Sequence, residues 1–153
     1  MVIARNHQGS SRRLGVVLLL AGVASGSLLL LEGAGRPVAA ALSGPGVPHL
    51  DKLLHAAAHA WLATLFFMGA YLLGKPPARL PRALTCAVLT FALTMLLGTA
   101  VELVQAKLGA SHGRVFDMWD IAADALGSGL AILFWLVVVW RVSGLYTGGK
   151  SGR

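Results

Sequence analysis

Four long apolar runs dominate the 153-residue sequence and restrict it to one kind of fold. They cover residues 14–31, 53–74, 83–104 and 118–140. Each run is long enough to cross the hydrocarbon core of a bilayer, which takes about 20 residues of α-helix. A backbone in lipid must satisfy its own hydrogen bonds, and a helix does so within a single segment. We therefore predict an all-α integral membrane bundle of about four transmembrane helices.

Charge and cysteine content exclude several other classes of protein. Only 12% of the residues are charged, against roughly 25% in soluble domains, so the bilayer is the expected solvent. In such a chain a net charge of +7 sets membrane orientation more readily than it binds nucleic acid. The single cysteine, Cys86, provides neither a disulfide framework nor a metal motif. We predict no nucleic-acid partner and no cofactor.

The first apolar run is either a transmembrane span or a cleaved signal peptide. Residues 38–40 could pass for a cleavage site, but the apolar run is long and ends well before them. A retained span is the favoured interpretation, although loss of residues 1–40 would leave three spans. The chain then divides into a polar amino tail at 1–13, a four-span membrane domain at 14–140 and a basic tail at 141–153.

Basic residues are segregated along the chain in a way that predicts orientation. The amino tail, the 75–82 loop and the carboxyl tail each carry three basic residues and no acid. Segments rich in lysine and arginine stay on the cytoplasmic side of a membrane. Both termini are therefore predicted to be cytoplasmic, and the other helix ends lie at the outer face.

Ionisable side chains gather at these predicted outer ends. A charge at mid-bilayer costs about 2.5–3.5 kcal/mol on insertion scales, so such groups normally face a cavity or a partner. Asp51, His55 and His59 are spaced four residues apart, which puts them on one helical face. We predict one polar pocket near the outer leaflet. The predicted ligand-binding residues are Asp51, Lys52, His55, Glu102, Gln105, Arg114, Asp117, Asp120 and Asp124.

Several of these residues also have a purely structural interpretation. Asp117 is placed to cap the fourth helix, and Lys52 could extend its ammonium to the interface. His59 is best explained by a hydrogen bond between helices. Arg114 could pair with a neighbouring carboxylate, or it could offer its guanidinium to an external phosphate or carboxylate. Asp124 is the hardest to explain structurally, because it lies two turns inside an apolar segment.

Metal binding and catalysis are less favoured by the sequence alone. The two histidines at i and i+4 lack the glutamate of a zinc-protease motif, because position 56 is alanine. Ser111 is the only serine near the predicted pocket, so no activated nucleophile is indicated. We predict no metal, and the question of enzymatic activity stays open. Suitable metal-ligand types are present at His55, His59, Glu102 and Asp120; candidate catalytic residues are Glu102, Asp120 and His55.

Three short motifs lie between residues 51 and 129 of the sequence. They are D-K-x-x-H at Asp51, Lys52 and His55, E-x-x-Q at Glu102 and Gln105, and a trailing pattern of Arg114, Asp120 and Gly127. Together they resemble the VanZ-like family of small bacterial membrane proteins. The family usually continues as R-x-x-S-x-x-D-x-x-x-N-x-x-G, whereas here Asp117 stands at the serine position and Asp124 at the asparagine position. These departures add charge to the site.

The resemblance implies a bacterial inner-membrane protein linked to reduced susceptibility to lipoglycopeptide antibiotics of the teicoplanin type. Such drugs act on cell-wall precursors at the outer face, where we predict the polar pocket. The favoured function is therefore binding of an anionic lipid-linked or antibiotic ligand, with membrane lipids as further partners. The alternative is a membrane-embedded enzyme acting on a lipid headgroup. Glu102 or Asp120 would then be the general base, and Arg114 or Lys52 would hold the anion.

Overall fold

A computed structural model of the chain describes residues 2–34, 50–74, 80–108 and 116–148. Within these ranges it contains four α-helices and no strand. The helices are α1 (Val2–Ala34), α2 (Leu50–Leu73), α3 (Leu80–Leu108) and α4 (Met118–Gly148).

Each helix contains a segment that is long and apolar enough to cross a membrane. Large apolar side chains such as Leu20, Leu96 and Leu130 are more than half exposed on the bundle surface, as expected where a helix faces lipid. The predicted all-α architecture with four spans is confirmed, and the chain is a multi-pass membrane protein. The four segments are Gly9–Leu30, Leu50–Leu73, Leu80–Leu108 and Met118–Ser143.

The helices extend beyond the predicted spans. The fourth helix continues to Gly148 and not only to Trp140, because the residues after the apolar run can still form helix at the membrane surface. The third helix begins at Leu80, since Pro81 is tolerated in a first turn where its missing N–H has no helical partner. Most of the predicted loops, at residues 35–49, 75–79 and 109–115, lie outside the described residues.

Helix α2 is the centre of the bundle. It contacts α4 most extensively and also packs on α1 and α3, while α3 contacts α1 and α4. The indole Nε1 of Trp135 donates to Thr64 Oγ1 at 3.3 Å, midway along α4 and α2. Because α2 and α4 run in the same direction and α3 runs opposite, one face of the bundle carries the starts of α2 and α4 and the end of α3.

Small residues let α2 and α4 approach closely. A Cβ at Gly127 would overlap the backbone of Ala56, so only glycine fits at this crossing. At the opposite face, Arg82 Nη2 donates to the carbonyl oxygen of Ala70 at 3.1 Å. This bond occupies one of the carbonyls that the last turn of α2 leaves without a helical donor. Helix α2 is thus packed closely on α4 near one face of the bundle and hydrogen-bonded to α3 near the other.

Candidate functional site

Eight ionisable side chains meet at the face shared by the starts of α2 and α4 and the end of α3. We call them the polar cluster. Helix α2 contributes four of them, α3 one and the start of α4 three. The members are Asp51, Lys52, His55, His59, Glu102, Asp117, Asp120 and Asp124.

Lys52 lies among three carboxylates. Its Nζ is 2.5 Å from Asp117 Oδ2 and 2.5 Å from Asp120 Oδ1, and 3.0 Å from Asp51 Oδ2. The Lys52 ammonium holds the pKa of the Asp117 carboxyl below its ordinary value, because the hydrogen bond favours the charged acid. Lys52 is thus paired inside the protein, and it connects the start of α2 to the start of α4.

Asp117 connects α3 to α4 as well. Its Oδ1 accepts a hydrogen bond from the backbone N–H of Trp119 at 2.8 Å, which is the geometry of a helix N-cap. Its own backbone N–H donates to Glu102 Oε2 at 3.0 Å. The predicted capping role of Asp117 is confirmed, and the same residue also positions the Glu102 carboxylate.

Asp124 is fully buried between two histidines of α2. His55 Nδ1 forms a hydrogen bond with Asp124 Oδ1 at 3.0 Å. His59 Nε2 is 3.3 Å from Asp124 Oδ2, but without the alignment of a hydrogen bond. Polar contacts between α2 and α4 therefore extend about two helical turns from the helix ends into the bundle.

Two residues that sequence reasoning did not single out are located near this part of the site. Gly98 of α3 leaves the space that the Asp124 carboxylate and the His59 ring occupy. Ser128 is fully buried one turn beyond Asp124, with no hydrogen-bond partner for its Oγ among the described residues. Their spacing in the sequence could have indicated that they share a helical face with site residues. Gly98 precedes Glu102 by one helical turn, and Ser128 follows Asp124 by one turn.

Three members of the polar cluster place metal-ligand atoms close together. One nitrogen of His55 and one carboxylate oxygen each of Glu102 and Asp120 lie within 4.8 Å of one another. Glu102 is fully buried, and its Oε1 has no hydrogen-bond partner within the described part of the chain. These three residues are the predicted catalytic candidates, brought together from three helices.

Two predicted site residues are not placed in the cluster. Gln105 lies half-buried on α3 and forms no hydrogen bond with another described residue. Arg114 lies outside the described residues, so its predicted pairing stays a prediction. Among the side chains that are described, the cluster contains five carboxylates and a single lysine.

The fold and the cluster define a four-span membrane protein with ionisable groups concentrated at one face of the bundle. Comparison of the chain with models of protein families, with curated proteins and with solved structures finds no match. The argument for function therefore starts from the geometry of the polar cluster.

Proposed function

We propose that the protein is a VanZ-like bacterial inner-membrane protein that supports envelope resistance by binding a ligand at the polar cluster. The proposed ligand is anionic, either a lipid-linked cell-wall precursor or a lipoglycopeptide of the teicoplanin type. The observation that carries the proposal is the convergence of eight ionisable side chains at one face of an apolar bundle. Groups of this kind are expensive near lipid and are typical of binding or transfer sites.

Orientation supports an outward-facing site. Nine of the 13 basic residues occupy the two tails and the 75–82 loop, which contain no acid. Arg82 and Arg141 belong to helix ends opposite the polar cluster. By the positive-inside rule those ends are cytoplasmic, so the cluster faces the compartment where cell-wall precursors are exposed.

The chemistry of the cluster favours binding over catalysis. Its members are carboxylates, imidazoles and one amine, a set that provides no serine or cysteine nucleophile. Most of its polar atoms are already paired with one another, as at Lys52. One observation supports the enzymatic alternative: Glu102 Oε1 is buried and unpaired within the described residues, as a general base for a lipid headgroup could be.

Expression in a teicoplanin-susceptible host tests the proposal. Glu102→Gln, Asp120→Asn and Arg114→Lys keep approximate shape while changing charge or bidentate geometry. We expect each to abolish protection, whereas Lys107→Gln, an exposed change near the same end of α3, should retain it. Membrane abundance is measured alongside, because a broken ion pair can destabilise the bundle. Full protection by all three variants at normal abundance would contradict the proposal.

Mass spectrometry of the lipid retained on the purified protein distinguishes binding from the enzymatic alternative. Binding predicts that the retained lipid is chemically unchanged after incubation with the protein. Catalysis predicts a converted headgroup that disappears in Glu102→Gln.

A further inference from the structure

We propose that His55, Glu102 and Asp120 form a binding site for a divalent transition-metal ion of the zinc type. The three side chains come from α2, α3 and α4, and one ligand atom from each lies within 4.8 Å of the others. Imidazole and carboxylate are ordinary zinc ligands, and three protein ligands leave a coordination position open. The sequence motif for such a site is missing because its ligands are on three different helices.

In each proposed ligand residue, one nitrogen or oxygen forms a hydrogen bond with a neighbour and the other is available to a metal ion. His55 Nδ1 is hydrogen-bonded to Asp124, which leaves Nε2 3.7 Å from Asp120 Oδ2. Asp120 Oδ1 accepts a hydrogen bond from the Lys52 ammonium, so Asp120 Oδ2 is the oxygen available to a metal ion. A carboxylate on the far nitrogen of a ligating histidine is a common arrangement around metals, where it fixes the orientation of the ring.

Glu102 provides the second, independent observation. Its Oε2 accepts the backbone N–H of Asp117, while its Oε1 is buried without a hydrogen-bond partner among the described residues. A buried carboxylate oxygen normally has a partner, since leaving it without one costs roughly 1–3 kcal/mol or more. A cation between Glu102, His55 and Asp120 would satisfy this oxygen.

The excess of carboxylates in the polar cluster also favours a bound cation. The polar cluster contains five carboxylates, and within the described ranges Lys52 is the one lysine or arginine bonded to them. A divalent ion would offset two of the remaining negative charges. It would also explain how an anionic headgroup can approach a face rich in acids, which is the one point at which this inference rests on the proposed function.

The distances are compatible with an ion after small side-chain movements. Zinc binds nitrogen and oxygen at about 2.0–2.2 Å, so each of the three side chains needs to move inward by less than about 1 Å. Mixed nitrogen and oxygen ligands favour Zn²⁺ or a similar transition metal over Mg²⁺ and Ca²⁺, which prefer oxygen alone.

Metal titration of the purified full-length chain tests the site directly. The protein is treated with chelator in detergent micelles and titrated with Zn²⁺ by calorimetry, with Co²⁺ absorption as a spectroscopic readout and Mg²⁺ as a comparison ion. We expect saturation at one Zn²⁺ per chain. Glu102→Gln and Asp120→Asn should weaken binding by at least about 100-fold, and Asp124→Asn by about 10–100-fold through His55.

Asp51→Asn is the matched control, because it removes a cluster carboxylate that is not a proposed ligand. It should leave Zn²⁺ affinity within about threefold of the unmodified chain, since the ion pair of Asp51 within the described residues is with Lys52 and not with a proposed ligand. Equal weakening by Asp51→Asn and Glu102→Gln would show diffuse attraction to negative charge and overturn the site.

Failure of the unmodified chain to bind Zn²⁺ or Co²⁺ would also overturn it, and this result does not depend on any variant folding. Size-exclusion profiles show which variants are folded and can be compared. No antibiotic or lipid is added in this titration, so a failure to bind metal is distinct from a failure of the resistance assay.

Discussion

Lys52 connects α2 to the start of α4 through its ion pairs. Its ammonium contacts carboxylates from both helices, and its side chain is 24% exposed. Exposed ion pairs contribute about 0–1 kcal/mol, whereas breaking a buried pair costs about 3–5 kcal/mol because the partner is left unpaired. Lys52 lies between these limits, and its removal would leave three carboxylates facing one another.

Replacement of Lys52 by methionine should therefore lower the free energy of unfolding by about 1–3 kcal/mol. Methionine keeps a long unbranched side chain, one heavy atom shorter than that of lysine, and removes the charge. Lys107→Met is the control, since Lys107 is exposed near the end of α3 at the same face. Unfolding in mixed micelles with increasing denaturing detergent measures both variants. Equal stability of the two would show that the Lys52 ion pairs contribute nothing measurable.

Spacing along a helix explains which site residues were predictable. Asp51, His55 and Glu102 could be assigned to the same end of the bundle because residues three or four apart share a side and the spans alternate in direction. Pairings across helices could not be assigned, because Lys52 meets Asp117 only through the packing of α2 on α4. Gly98 was missed for the same reason, since its role is defined by the His59 ring of another helix.

At the scale of the helices, the close crossing of α2 and α4 positions the polar cluster. Gly127 of α4 lies directly against the backbone of Ala56, one residue after His55. Any separation of the two helices at this point would move Asp120 and Asp124 away from His55. In a membrane, where lipid and side chains are equally apolar, such close packing is a main source of helix association.

Alanine at Gly127 should consequently destabilise the bundle, because its Cβ would overlap a backbone that cannot move aside. We expect a loss of about 1–3 kcal/mol, the usual cost of overpacking. Gly129→Ala is the matched control two residues away, where an added Cβ meets nothing within 4 Å. It should be neutral or stabilising by up to about 1 kcal/mol, since alanine favours helix. Thermal unfolding in detergent measures both, and a smaller loss for Gly127→Ala than for Gly129→Ala would contradict the crossing.

At the scale of the whole molecule, the bundle has two chemically different faces. One carries the acidic polar cluster, and the other carries Arg82 and Arg141 at helix ends. The number of spans followed directly from the apolar runs, because hydrocarbon thickness sets the length of a spanning helix. Exact helix ends did not follow, since helix can continue into the interface without any apolar signal, as α4 does to Gly148.

The orientation of these faces is tested by cysteine labelling from outside intact cells. Cys86 is buried and is replaced by alanine to give a background without cysteine, after which single cysteines are introduced at Gly46, Arg79 and Gly148. In the sequence Gly46 precedes α2, the start of which belongs to the face with the polar cluster, whereas Arg79 precedes α3 and Gly148 is the last residue of α4. Because lysine and arginine are retained in the cytoplasm, an impermeant reagent should label Gly46→Cys alone. All three positions should react after the membrane is permeabilised, which controls for expression. Labelling of Arg79→Cys in intact cells would show that the bundle has the opposite orientation, with the polar cluster facing the cytoplasm.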